Sequence, residues 1–298
     1  MTTLKQQHQQ QKIVKYYEEA GLDYQTWSKD FNMHFGYLKW GQNPFRLEPM
    51  LHQLNEEILQ RLQLDKIQLP MVLDAGCGLA ASSRYMARKR PDAFFYGVTI
   101  TPWQINFGEK LNQKEGLEDQ ISLLHADYQE MPVAGESFDA AFAIESACYA
   151  EGPDKKGLLR EMGRVLRTGG RFVVSDGFLK TDKPLPYWLN RIYRKNMDCW
   201  ALKELANLDQ YVQAMRDAGF VNIKVEDVSW KIAPSFLHIP FVFLKFYWNR
   251  WIGKDKTSMN QERRNNANAP LWGMLMGLAR PYFGYYIISG EKGIDKIN

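Results

Sequence analysis

One short stretch constrains this chain more than any other: Met71-Val72-Leu73-Asp74-Ala75-Gly76-Cys77-Gly78-Leu79-Ala80. Three apolar residues run into an acid, then into two glycines one residue apart, and Ala81 to Arg90 behind them reads as a helix. A buried strand, a glycine turn and a helix open a nucleotide-type α/β unit. Glycine admits positive φ there and lets the backbone approach a ligand with no Cβ in the way. From this point the pattern alternates, with strands expected over 71–75, 94–99, 120–125, 138–144 and 171–176 and helices over 81–90, 102–114 and 154–167. Alternation of this kind calls for a parallel sheet with right-handed crossovers, and for ligand beyond the carboxyl ends of the strands.

Two cofactor readings compete at the glycines. Gly76-Cys77-Gly78-Leu79-Ala80-Ala81 fits the loose GxGxxG/A pattern of dinucleotide sites. Such a site wants an acid about 20 residues on to hold the ribose, and the next strand ends in Gly97-Val98-Thr99-Ile100, without one. Asp74 instead stands directly before the glycines, where a carboxylate repels a pyrophosphate and attracts a ligand carrying an ammonium and a sulfonium. That ligand is S-adenosylmethionine (SAM), and an NAD-linked dehydrogenase becomes the remote alternative.

Val72-Leu73-Asp74-Ala75-Gly76-Cys77-Gly78 resembles the first motif of the class I SAM-dependent methyltransferases, with Ala80 where that family usually has a third glycine. Thr99-Ile100-Thr101-Pro102-Trp103-Gln104 resembles the Thr-Leu-Ser-x-x-Gln variant of the cyclopropane synthase and tocopherol methyltransferase branches. Thr101 and Pro102 also read as the cap and first position of a helix. His125-Ala126-Asp127-Tyr128 resembles the adenine-recognition motif, and Leu166-Arg167-Thr168-Gly169-Gly170 the family's Leu-x-Pro-Gly-Gly turn. Ile144-Glu145-Ser146-Ala147-Cys148-Tyr149-Ala150 resembles the Ile-Glu-Ala-Thr-Cys-His-Ala of sterol C-methyltransferases, Tyr149 replacing histidine. His34-Phe35-Gly36-Tyr37 looks like the His-x-Gly-Tyr of tocopherol-type enzymes, and Tyr37-Leu38-Lys39-Trp40-Gly41 like the aromatic region of the sterol enzymes.

The resemblance covers roughly residues 13–180. It implies an α/β fold with a doubly wound, mostly parallel, seven-stranded Rossmann-like sheet. It also implies cofactor contacts at Asp74, Gly76, Gly78, Thr99, Gln104, Asp127, Tyr128 and Tyr37, and catalytic candidates in Glu145, Tyr149 and His34. No metal is implied, since five dispersed histidines and three scattered cysteines make no ligand spacing.

Around this core, residues 1–12 are Gln-rich and are expected to be a disordered tail; 13–298 form one methyltransferase domain. Its parts are an N-terminal lid (13–65), a SAM-binding core (66–180), and substrate-covering helices with the final strands (181–298). Helices are expected over 184–200 and 207–218, a strand from Val221 to Trp230, and a last strand over 282–290, which the resemblance places antiparallel beside its neighbour. Between them lies an aromatic insertion, 232–280. Its stretch from Phe236 to Trp248 is apolar almost all round, with Lys245, Arg250 and Lys254 as cations. The 236–252 run is too short and too charged to span a bilayer. It reads either as a buried lid helix or as the wall of a greasy channel that also touches a membrane surface.

The acceptor is less legible. Methylating an alkene carbon creates a carbocation, which aromatic faces stabilise and a carboxylate later deprotonates. Glu145, Tyr149, Tyr16, Tyr17, His34, Tyr37 and Trp40 are candidate members of such a pocket. The expected reaction is methyl transfer from SAM to a lipophilic small molecule, with an isoprenoid or sterol-like carbon favoured. The alternative is O-, N- or ring C-methylation of a phenol, quinone or tocopherol-like acceptor, with His34 as the base near the mouth. A non-catalytic SAM-binding protein is the remaining class. A net charge of +4 without a long basic run gives no support for nucleic acid. Scattered cysteines suit a reducing cytoplasm, with peripheral membrane contact left open.

Overall fold

The computed structural model describes residues 4–253 and 257–294. Lys254 and residues 1–3 of the expected tail lie outside the described residues. In chain order the elements are α1 (Leu4–Ala20), α2 (Leu47–Leu62), β1 (Met71–Ala75), α3 (Ala81–Lys89), β2 (Phe94–Thr99), α4 (Pro102–Glu115), β3 (Ile121–His125), β4 (Phe138–Ile144), α5 (Lys156–Val165) and β5 (Leu166–Leu179). There follow α6 (Tyr187–Cys199), β6 (Ala206–Asn207), α7 (Leu208–Asp217), β7 (Phe220–Asp227), α8 (Ser229–Phe236), α9 (Ile239–Trp251), α10 (Gln261–Leu278) and β8 (Phe283–Lys292).

The strands run β3-β2-β1-β4-β5-β8-β7 across one sheet, with the two-residue β6 beside β5. β1 to β5 pair in parallel, and β8 inserts antiparallel between β5 and β7. Buried on both faces, the central strands divide their residues by the two-residue period of a pleat. Leu73, Ala75, Ala141, Ala143, Phe172 and Val174 pack toward Leu158, Leu159, Met162 and Val165 of α5 and Tyr211 and Met215 of α7. Val72, Ala140, Phe142 and Val173 pack the other way, toward Leu54, Ile58 and Leu62 of α2 and Met86 of α3. The order reverses between β1 and β4, so a crevice opens beyond their carboxyl ends. The functional residues gather there.

Three expectations about elements need correction. From Leu4 on, the stretch expected to be a disordered tail is instead the first turns of α1. Glutamine is a good helix former, and these glutamines are tied to the body: Gln6 Nε2 donates to Glu151 Oε2 (2.7 Å), Gln9 Nε2 to Ala201 O (2.6 Å) and Gln10 Nε2 to Asp127 Oδ2 (2.7 Å). No apolar pattern announces contacts of that kind. The strand expected to reach Trp230 ends at Asp227. There Asp227 Oδ1 accepts from the Ser229 N–H (3.0 Å) and O–H (2.5 Å), which turns the chain into α8. The helix expected to reach residue 167 gives way at Leu166 to a longer β5.

The insertion folds as α8, α9 and α10. α10 is fastened to the N-terminal segment by Arg263 on Asp23 (2.6 Å) and by Tyr16 Oη donating to Asn266 Oδ1 (2.8 Å). Asn196 Nδ2 of α6 donates to Ala269 O (2.8 Å) from the other side. The N-terminal segment and the insertion therefore meet over the crevice.

Candidate active site

Glycine loop geometry follows from its local sequence. Gly76 N and Cys77 N both donate to Val98 O (2.9 and 3.0 Å), folding the chain back over the end of β2. Gly76 has φ +87°, and a Cβ there would collide with Ser146 Cβ, so only glycine serves. Gly78 (φ +52°) faces the cavity, the amide Nε2 of Gln104 lying 3.9 Å from where its Cβ would be. Ala80 occupies the left-handed region as well (φ +59°), the conformation that the family's usual third glycine would take without cost. Buried Arg84 clamps the loop from α3 by donating to Leu79 O, with Asn112 Oδ1 (3.2 Å) and Glu115 (3.1 Å) as further partners.

A first cavity opens on this loop. Its wall includes Asp74, Gly76, Gly78, Thr99, Gln104, Asp127, Tyr128, Glu145, Tyr149 and His34, ten of the eleven cofactor and catalytic candidates. Asp74 is buried and accepts from Ser83 Oγ (2.6 Å). Burial, only partly offset by that hydroxyl, raises its carboxyl to about 7. Thr99 Oγ1 donates to Gln104 Oε1 (2.6 Å), so the Gln104 amide keeps its donor end for the cavity. Asp127 accepts from Gln10 of α1, and Tyr128 Oη donates to Ser146 O (2.7 Å).

Tyr37 is the exception and lines neither cavity. Its N–H donates to Met50 O (2.8 Å), the next residue's N–H to Lys231 O (2.7 Å), and Lys231 Nζ lies 5.9 Å from its ring centroid. This strap between α2 and α8 points the ring away from the crevice. Tyr16 and Trp40 also stand outside: Tyr16 is buried with Tyr24 and Asn266, and Trp40 is 96% exposed.

A second, larger cavity of about 560 Å³, against about 100 Å³ for the first, is bounded by the insertion helices, the N-terminal segment and the ends of β5 and β8. Tyr17, Met33, His34, Glu145 and Tyr149 line both cavities and so stand at their junction. Glu145 holds φ +47°, a strained conformation for a non-glycine residue, immediately after β4. Its Oε1 accepts from Phe35 N (2.7 Å) and Tyr285 Oη (2.7 Å). Burial outweighs these donors and raises the carboxyl to about 8.

Tyr17 Oη donates to Tyr149 Oη (3.1 Å), which donates to Trp200 O (3.0 Å), and burial raises both phenols well above 10. His34 Nδ1 lies 2.8 Å from Phe35 O and Nε2 3.2 Å from Asn32 Oδ1, two oxygens that only accept, so the neutral ring donates to one of them. Burial lowers the imidazole to about 4. With both nitrogens engaged inside the protein, His34 is a wall residue.

Several site residues escaped the sequence. Asp176, at the end of the strand expected over 171–176 and within the longer β5, lines the larger cavity and is raised by burial to about 6, while accepting from Cys148 N (2.9 Å) and Gly177 N (2.8 Å). The strand-end reasoning applied to Glu145 would have found it. Tyr285, Trp200 and Gln10 arrive from distant segments, and no local signal marks them. Away from the crevice, Asp30, Glu48 and His52 also converge within 4.8 Å, with His52 on Asp30 (3.0 Å) and Glu48 on Ser28 Oγ (2.6 Å).

The first cavity fits SAM on its own chemistry. A buried carboxylate with no offsetting cation among the described residues suits an ammonium. Thr101 Oγ1, buried at the same wall without a partner, and the Gln104 amide suit hydroxyls. Residues 73–174 match the methyltransferase domain family. Methyltransferase GfsG of Streptomyces halstedii is 29% identical over 94% of both chains. Cycloartenol-C-24-methyltransferase 1 of Oryza sativa is 32% identical over 73% of this chain and 61% of its own. Among solved structures, a cyclopropane synthase of Mycobacterium tuberculosis shares the fold (TM-score 0.79, 14% identity, covering 95% of this chain and 98% of that one).

The chain is a class I SAM-dependent methyltransferase. Sterol and tocopherol methyltransferases are among the relatives it resembles in sequence, and the cyclopropane synthase shares its fold.

Proposed function

We propose that this enzyme methylates a lipophilic small molecule, an isoprenoid or sterol-like carbon acceptor, at the junction of the two cavities. The observation that carries the reading is the larger cavity itself. Its wall is mostly apolar and aromatic, it is roomy enough for a multi-ring or prenyl skeleton, and it meets the first cavity at Glu145. The sterol acceptor in the rice relative's name has the same chemistry.

Asp74, the glycine loop, Gln104 and Asp127 would hold SAM, which when bound would supply an electrophilic methyl on a sulfonium. The protein's part is alignment, exclusion of water and removal of one proton. Transfer of that methyl to the acceptor's π bond would leave positive charge on the acceptor and release neutral S-adenosylhomocysteine. Tyr17, Tyr149, Phe35 and Trp200 line this region and offer aromatic faces to that charge. Glu145, ionised, accepts the proton that restores neutrality. The Phe35 and Tyr285 donors hold its carboxyl in place meanwhile.

A second reading, methylation of a phenolic or enolic oxygen, is favoured by one observation. A carboxyl at about 8 is a strong enough base to share the proton of an acidic hydroxyl. Glu145, and not His34, would then be the base. Incubation with methyl-labelled SAM and organic extracts of the host, followed by mass spectrometry, separates the readings. Label on carbon in an isoprenoid skeleton supports the first, label on oxygen supports the second, and label only in water-soluble products refutes both.

A further inference from the structure

α9 is apolar almost all round, Lys245, Asn249 and Arg250 excepted, which is expected of a largely buried helix, yet only half of it is covered. Ile239, Val242, Phe243 and Phe246 face inward and line the larger cavity. Leu237, just before the helix, and Phe241, Leu244, Trp248 and Trp251 are 56%, 72%, 64%, 58% and 77% exposed. Steps of four, three, four and three residues set these five on one stripe. Nothing among the described residues covers that stripe.

Two further observations choose its occupant. Leu237, at the start of the stripe, is exposed and also lines the larger cavity, as do Trp230, Leu275 and Leu278, so the cavity wall reaches the surface at the end of the stripe. From Val228 to Gly253 the chain carries Lys231, Lys245 and Arg250 and no acid. A two-fold contact along the stripe would set Lys245, exposed at the middle of α9, against its own image. At about 1.5 Å per residue the helix is roughly 20 Å long, short of the ~30 Å hydrocarbon layer, and no helix among the described residues is long and apolar enough to cross a membrane. Lying flat remains, with tryptophan and phenylalanine at headgroup depth and cations toward anionic lipid.

We propose that the outer stripe of α9 seats the enzyme on an anionic bilayer surface, so that a lipophilic acceptor enters the larger cavity from the lipid without crossing water. The inference deepens the lipophilic-acceptor reading and rests on it.

The test is co-sedimentation of the full chain with vesicles of phosphatidylcholine alone and of phosphatidylcholine mixed equally with phosphatidylglycerol. Binding should favour the mixed vesicles and weaken with salt. Phe241→Ser/Leu244→Ser/Trp248→Ser should lower partitioning about 100-fold, three exposed apolar side chains being lost. Lys245→Glu should lower it about tenfold on mixed vesicles alone. None of these residues lines either cavity, so the calorimetric heat of S-adenosylhomocysteine binding should be unchanged, which also certifies the fold. An intact chain that stays in the supernatant with both vesicles overturns the proposal. So does a triple variant that sediments like the parent, or a dimer that the triple variant abolishes without any lipid binding. Label transfer to a detergent-dispersed acceptor, measured beside these, stands or falls with the functional reading alone.

Discussion

Replacing Glu145 by glutamine separates a proton acceptor from a structural carboxyl, because the same change has calculable effects on turnover and on stability. Both neighbours of Glu145 Oε1 are donors, Phe35 N and Tyr285 Oη. The amide oxygen of Glu145→Gln accepts from both, so the local structure should persist. Burial raises the carboxyl from its ordinary 4.5 to about 8 in the folded chain. A group raised on folding favours the protonated folded form. Its stabilisation is therefore full below about 4.5 and is lost progressively up to about 8. At about 1.4 kcal/mol per pH unit, the interval from 4.5 to 8 amounts to at most about 5 kcal/mol. Glutamine carries no such penalty. In urea titrations the variant should match the parent within about 1 kcal/mol at acid pH and exceed it by about 2–5 kcal/mol at alkaline pH. Methyl transfer to host extract should nevertheless fall about 100-fold or more, and the parent's rise in kcat/KM toward pH 8 should be missing. Turnover within a few-fold of the parent would refute the base assignment. A stability difference that does not grow with pH would refute the account of Glu145's burial.

Two further changes test the cofactor cavity. Asp74, raised by burial to about 7, must be ionised to meet an ammonium; S-adenosylhomocysteine affinity should therefore climb with pH and level off above about 7. Calorimetry in buffers of different ionisation enthalpy should register proton release below that point, and Asp74→Asn should lose the pH dependence together with most of the affinity. Gly76→Ala forces a Cβ into Ser146 at φ +87°; a loss of about 3 kcal/mol in denaturant unfolding is expected, with cofactor binding impaired, and an unperturbed variant would contradict the loop geometry.

The sequence by itself determined the α/β core and most of the wall of the first cavity. Those residues are local: Asp74, Gly76 and Gly78 sit on one turn, and Thr99 with Gln104, Asp127 with Tyr128, and Glu145 each follow the end of a single strand. Periodicity and strand-end position therefore suffice to find them. Tertiary structure decided everything that closes the crevice. α1 docks through glutamine contacts that carry no hydrophobic signature, and Tyr285 reaches Glu145 from 140 residues away. Tyr37 turns aside because its backbone is strapped between α2 and α8. Which half of α9 is covered was equally illegible, because a helix apolar almost all round has no polar face to mark the outside. A polar contact between distant segments depends on where the backbone brings two groups together, and short-range pattern holds no record of it.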